Sequence, residues 1–318
     1  MIGIEILGTG RYVPADCLSN DDLSRMVETS DEWIYSRTGI KTRHISRTEN
    51  TSQLAFYAAE KAIENSGVSK EDIGFIIVAT CSADHIMPSV ASMLQKLLGL
   101  SEQVMAFDMN AACTGFIYAI SIANALLAAH PEKYALIVGA EVFSKMLDYT
   151  DRSTCILFGD GAGAVVAKHQ PKKAFHEAIC TNGDAKAEGI YIPGVAFGEN
   201  HAPPYCKMNG QEVFKFAVES PIQSIRQVLS DLHYSIGDMD YILFHQANAR
   251  IIGSISKRLG IKREQLYLNI EEYGNTSAAS IPIMIDEMHE KGLLQRGNKI
   301  LLVGFGAGLT WGTVYLEW

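Results

Sequence analysis

The sequence predicts an α/β fold built as two similar halves. Three observations carry this reading. Apolar, strand-like runs alternate with helical ones along the chain, the pattern of mostly parallel sheets covered by helices. The order of features from Asp72 onward recurs from Asp238 to the end. A polar, Pro-containing stretch, "KHQPKKAFHE", separates the two near residue 170. The halves are therefore read as residues 1–170 and 171–318.

The opening "MIGIEILGTGRYVP" reads as a first strand and turn. It lacks the basic region, apolar stretch and small-residue cleavage site of a signal peptide. From Asp72 to Leu100, "DIGFIIVATCSADHIMPSVASMLQKLLGL" reads as a buried strand, a polar turn and a helix closing on Leu-Gly. The turn "NAACTGF" then leads into an apolar helix over 114–129. Ser121 and Asn124 interrupt that stretch and Pro131 stops it, so it fits a core helix better than the ~20 continuous apolar residues of a membrane span. A strand, "KYALIVGAE", and the Gly-rich "FGDGAGAVVAKH" complete the first half.

The second half repeats this order. "DMDYILFHQANARIIGSISKRLGI" supplies a strand over 241–244 and a helix over 247–259. "YGNTSAAS" matches the first half's turn, "NKILLVGFG" its Val-Gly strand, and "GAGLTWGTVYLEW" its closing segment. Matched features in the same order mark an internal repeat. Two such halves facing a shared centre bring their turns together, Cys113 from one with His245 and Asn275 from the other.

Composition bounds the function. The chain has 318 residues, 47% of them hydrophobic and 20% charged, enough for a large core. A net charge of −9 argues against non-specific nucleic-acid binding. The six cysteines contain no C-x-x-C pair, so zinc has no signature, and they are too sparse for a disulfide scaffold. A reducing, cytoplasmic setting is the simplest expectation. "GDGAGA" and "GFGAG" lack the G-x-x-x-x-G-K-[ST] of a nucleotide loop and read as places of close backbone approach.

Free cysteine is among the most buried residue types, and that is the bland reading of Cys113. Its setting suggests more. It falls at the start of the apolar helix, among the small residues Ala111, Ala112 and Gly115. A helix N-terminus carries partial positive charge and free N–H groups, which predicts a lowered thiol pKa and a nucleophile. His245 ends a strand, where open α/β sheets place their ligands, although a lone His is more often structural or on the surface. Asn275 beside Gly274 is by default a turn residue or an N-cap. The matching places of the three in the two halves favour a shared site.

Taken together, "NAACTGF", "HQANARII", "GNTSAASIP" and "GFGAGLTWG" resemble the β-ketoacyl-acyl carrier protein synthase III family, the initiating condensing enzymes of dissociated fatty-acid synthesis. "TSDEWIYSRTGIKTRHI" and "TDRSTCILFGDGAGA" fit the same family, and the resemblance spans essentially the whole chain. It implies a thiolase-like fold, two pseudo-symmetric halves forming a layered αβαβα core. It implies that Cys113 takes an acyl group from acyl-CoA as a thioester, dividing one hard step into two. Backbone N–H groups of Cys113 and Gly306 would hold the oxyanion. His245 and Asn275 would donate to the enolate oxygen formed as malonyl-acyl carrier protein loses carbon dioxide. The carbanion would then attack the thioester and release a 3-ketoacyl product, with no metal or redox cofactor.

The resemblance also assigns binding residues. Trp33 and Arg152 match a pair that clamps the CoA adenine, and Arg37 a residue near the phosphates; stacking and cation–π contact suit that role. Ordinary packing for Trp33 and a solvated charge for Arg152 are the alternatives. Arg250, Lys257 and Arg258 share one face of the 247–259 helix, with Lys262 and Arg263 just beyond. The family docks acidic acyl carrier protein on such a patch, and a plain solvated face is the alternative. A homodimer is implied, with "VMAFDMNAA" near its interface. Met87 stands where many members carry a Phe that enters the partner's acyl pocket. Thr114, Ala307 and Leu309 also depart from common family residues and are expected to alter pocket shape.

Other readings compete. A Cys, His, Asn order occurs in papain-like proteases, but their sequence context around Cys is missing. An acyltransferase on the same scaffold would not need both His245 and Asn275. A specialised condensing enzyme of secondary metabolism would keep all three residues. A non-catalytic scaffold would be expected to have lost Cys113.

Overall fold

The computed structural model describes residues 3–183, 189–194 and 204–318. Nine strands form the two large sheets: β1 (Ile4–Tyr12), β2 (Ile73–Ala79), β3 (Met105–Met109), β4 (Tyr134–Glu141), β5 (Gly161–His169), β6 (Phe175–Thr181), β7 (Tyr241–Phe244), β8 (Lys299–Gly306) and β9 (Thr310–Glu317). The helices of eight residues or more among the described residues are α1 (Asp31–Thr38), α2 (Thr51–Ser66), α3 (Val90–Leu98), α4 (Gly115–Ala129), α5 (Gly210–Asp231), α6 (Ala249–Leu259) and α7 (Ser280–Glu290).

The first sheet has the order β1-β5-β4-β2-β3 and the second β6-β9-β8-β7. The orders correspond strand for strand, except that β3 has, among the described residues, only the single Ile242–Leu266 bridge as its counterpart. The sheets are mixed, which corrects the expectation of mostly parallel ones. β2 runs parallel to β3 and β4, and β7 parallel to β8, whereas β5 and β9 return antiparallel. Each half closes on itself through a Gly-rich segment rather than a crossover helix, and such a return reverses strand direction.

Five layers result. Leu54, Ala58 and Ala62 of α2 and Leu94 of α3 cover one face of the first sheet, against Ile76 and Val78. Ile225 and Val228 of α5 and Ile252 and Ile255 of α6 cover the outer face of the second, against Ile242 and Leu301. Between the sheets lie α4 and α7, whose Ile117, Ile120, Ile281 and Met284 share one apolar cluster with Ile77 and Ile137 of the first sheet and Leu302 and Val314 of the second. Ala112–Ala129 is long and apolar enough to cross a membrane by composition, and here it packs as this inner layer. The approach is close: a Cβ on Gly139 of β4 would come within 2.3 Å of the Ala278 carbonyl oxygen. Only glycine lets the turn before α7 lie that near the sheet.

Both inner helices start the same way. A short 3-10 turn precedes each, Ala112–Thr114 before α4 and Ser277–Ala279 before α7. Each turn opens on a non-glycine residue in the left-handed region, Ala112 at φ 46° and Ser277 at φ 48°. That conformation carries strain. In each case an asparagine offsets it: Ala112 N–H donates to Asn110 Oδ1 at 3.1 Å, and Ser277 N–H to Asn275 Oδ1 at 2.9 Å. The repeat seen in the sequence thus reappears as one turn built twice.

Candidate active site

Cys113 sits in the turn before α4 and is buried. The end of β8 lies directly against it. A Cβ added to Gly306 would fall 2.9 Å from Cys113 Cβ and 3.0 Å from its backbone nitrogen. The sequence needs glycine there because two chain segments meet with no room for a side chain. His245 follows β7 immediately, and its N–H extends the ladder to the Val303 carbonyl at 2.8 Å. Its ring packs edge-on against Phe305, with centroids 5.4 Å apart. Asn275 is pinned by its backbone to the loop before β5, through Asn275 N–H to Leu157 O at 2.9 Å and Gly159 N–H to Asn275 O at 3.0 Å. With Oδ1 accepting from Ser277, Asn275 presents Nδ2 as its donor.

These four residues line one cavity of about 190 Å³, together with Trp33 and Arg37 of α1. Two cations approach the Trp33 ring: the Arg152 guanidinium lies 4.9 Å from its centroid and that of Arg37 5.8 Å. Arg152 is steadied by donation to the Glu28 carbonyl at 2.7 Å. Every residue proposed for the chemistry, the oxyanion and the CoA end thus lines this cavity or touches Trp33.

The electrostatics differ from the sequence expectation at Cys113. The helix proper begins at Gly115, and burial pushes the thiol up to about 12. The Ser277 hydroxyl opposes this by hydrogen bonding, and the negative charge of Glu141 adds to it. Desolvation of the thiolate outweighs the field of the helix end. Burial also pushes His245 down to about 3, and its Nδ1 is buried without a hydrogen-bond partner among the described residues. The resting site therefore holds a thiol and a neutral imidazole, not an ion pair.

A stability consequence follows from His245. Its folded pKa lies below the unfolded one, so between about pH 3 and about pH 6.5 the unfolded chain binds more protons. The stability contributed by its neutrality is complete above about pH 6.5 and is lost as pH falls toward 3. The His245→Asn variant is expected to lose less stability than the parent protein between pH 6.5 and 4.5, in urea titrations at each pH. Equal slopes would contradict a buried neutral His245.

Thr114 does not shape the cavity, which corrects that expectation. It is fully buried, pairs with the Thr310 hydroxyl at 2.9 Å and donates to the Thr310 carbonyl at 3.2 Å. The extra hydroxyl is satisfied between the two segments instead of facing a ligand. Ala307 and Leu309 are likewise absent from the cavity's described lining. Met87 is 85% exposed and lies outside this chain's own cavity. Arg250, Lys257 and Arg258 are all exposed on α6. The Arg250 guanidinium lies 5.9 Å from the ring centroid of Phe214, a cavity residue, so the basic face adjoins the cavity.

Sequence reasoning missed the apolar wall, to which Phe158, Ile190, Met208, Val213 and Phe214 contribute. These residues come from separate segments with no motif. It also missed Asn248, which caps α6 and donates to the Arg37 carbonyl at 3.0 Å, joining the basic helix to α1. The N-cap position of Asn248 before a helical run was the available signal.

Known proteins are similar to this chain along its whole length. The 3-oxoacyl-[acyl-carrier-protein] synthase III family model matches residues 107–183, and the model of that family's C-terminal region matches residues 229–318. A β-ketoacyl-[acyl-carrier-protein] synthase III of Clostridium acetobutylicum is 48% identical over 100% of this chain and 99% of its own length. The Clostridium novyi protein of that name is 43% identical over 100% of both. The crystal structure of 3-oxoacyl-[acyl-carrier-protein] synthase III from Aquifex aeolicus superposes with a TM-score of 0.93 at 40% identity, covering 99% of this chain and 100% of that one. Identity over the full length, a common thiolase-like architecture and two family models agree: this chain belongs to the β-ketoacyl-[acyl-carrier-protein] synthase III family.

Proposed function

We propose that this chain catalyses the decarboxylative condensation of an acyl-CoA primer with malonyl-acyl carrier protein, giving 3-ketoacyl-acyl carrier protein and initiating fatty-acid synthesis. The observation that carries the reading is the convergence of Cys113, His245, Asn275 and Gly306 on one cavity that also reaches Trp33 and Arg37. Cys113 is the acyl carrier. Its sulfur forms a bond to the primer carbonyl carbon, and CoA leaves with the thiol proton. The N–H groups of Cys113 and Gly306 stabilise the oxyanion of that step. His245 and Asn275 then stabilise the enolate formed when the malonyl carbon–carbon bond breaks and carbon dioxide departs. A neutral imidazole suits this role, because it can donate a hydrogen bond without having to be charged in a dry site. The enolate carbon attacks the thioester carbonyl, and the Cys113 thiolate leaves.

Trp33 and Arg152 hold the adenine end of CoA, and Arg37 its phosphates. Arg250, Lys257 and Arg258 receive the acidic carrier protein, and the contact of Arg250 with Phe214 supports delivery of the carrier's arm to the cavity. The protein works as a homodimer in the cytoplasm. The exposed Met87 extends toward the acyl pocket of a second copy, and residues 1–170 and 171–318 act as the two catalytic halves. No metal or redox cofactor takes part.

The test is a panel of acyl-CoAs, from acetyl to medium and branched chains, each incubated with the protein and read by peptide mass. One acyl group on Cys113 alone is expected, and the best substrate names the primer class. No adduct from any CoA in folded protein would overturn the reading.

A further inference from the structure

Glu141 is a carboxyl group the mechanism above does not use. It ends β4, is completely inaccessible to solvent and has no cation within salt-bridge distance among the described residues. Burying a carboxylate so is costly unless its oxygens are well supplied with donors. Here they are. The Cys81 N–H reaches both oxygens at 3.2 Å, the Cys81 thiol lies at 3.3 Å and the Thr80 hydroxyl at 3.3 Å. Ser82 donates its hydroxyl as well, and itself accepts from Val142 N–H at 2.9 Å. The last donor comes from the opposite half: Ser277 Oγ, 3.2 Å from Glu141 Oε1.

Ser277 is the residue that matters. Its backbone is held in the left-handed region, its N–H orients the Asn275 amide, and its hydroxyl donates to Glu141. Glu141 thus joins the turn after β2 to the turn that carries Asn275. In the repeat, the position matching Glu141 of "VGAE" is Gly306 of "VGFG". One half offers the nucleophile a backbone, the other a buried acid.

We propose that Glu141 is a positioning residue for condensation, whose carboxyl group fixes the Ser277 turn and through it the Asn275 amide. This rests on the role of Asn275 proposed above. A structural ballast role would affect folding alone; this role predicts a loss of decarboxylation that leaves Cys113 acylation in place.

The test compares Glu141→Gln and Ser277→Ala with the parent protein. Folding is checked by circular dichroism, and carbon dioxide release and Cys113 acylation are followed separately. Glu141→Gln replaces one acceptor oxygen by an amide NH2 that cannot accept from the surrounding donors, and is expected to reduce carbon dioxide release about tenfold at little change in KM. Ser277→Ala cuts the link, so release falls about tenfold while Cys113 acylation persists. Should Glu141→Gln not fold, Ser277→Ala decides alone. Folded variants that release carbon dioxide at the parental rate, or that lose acylation equally, would overturn the inference. Parent protein that forms no Cys113 thioester would instead overturn the proposed function.

Discussion

Replacing Cys113 by alanine is expected to lower 3-ketoacyl product formation about a thousandfold or more, while carbon dioxide release from malonyl-acyl carrier protein continues. The two effects separate because they belong to opposite halves of the site. The cavity offers the acyl group no other thiol: Cys113 is the one cysteine among its described lining, and Cys155 and Cys206 are buried, pushed up to about 11 and about 12 by that burial. His245 and Asn275 are anchored by backbone bonds that do not involve Cys113, so the enolate donors stay in place. Losing one sulfur from the cavity wall costs about 1 kcal/mol or less in stability. Labelled carbon dioxide and 3-ketoacyl product, measured in the same reaction, would show the uncoupling. Product formation above a tenth of the parental rate would mean that Cys113 is not the carrier.

The Asn275→Asp change addresses the other half-reaction. An aspartate can still accept from Ser277 N–H, so the left-handed turn is kept. What disappears is the Nδ2 donor, replaced by an oxygen that repels the developing enolate. Decarboxylation is expected to fall about a hundredfold or more, the scale of removing one preorganised donor. Thioester formation on Cys113 should persist, because acylation draws on Cys113, Gly306 and the CoA end. A variant that lost both half-reactions equally would place Asn275 in the framework instead of the chemistry. Midpoints of thermal unfolding within a few degrees of the parent would exclude misfolding as the cause.

The repeat made most of this legible before any coordinates. Two turns with matched neighbours, "NAACTGF" and "GNTSAAS", pointed to Cys113 and Asn275, and in space they are the same strained turn. β7 was read at its observed limits, and α6 began two residues later than expected because Asn248 caps it. What the sequence could not reveal was set by burial and by contacts between distant segments. The thiol's rise depends on how deeply α4 lies between two sheets, which no local motif encodes. Thr114 reads as a pocket residue until Thr310, far along the chain, is found bonded to it. Glu141 carries no signature at all: a glutamate ending a strand is ordinary until Ser277 from the other half donates to it.

The shared inner layer has a consequence for what can move. α4, from the first half, packs against both sheets, and α7, from the second half, packs chiefly against the first. Cys113 precedes one of these helices, and Asn275 the other. The proposed reacting groups thus lie along the seam on which the apolar interior is assembled. A breathing motion that parts the halves would disarm the proposed nucleophile and enolate donors in one stroke, and would also open the core. Selection for a rigid site is therefore also selection against autonomy of either half. Adaptation of such an enzyme to new primers is left to the outer wall of the cavity, where residues such as Ile190, Met208 and Phe214 can change without touching the seam.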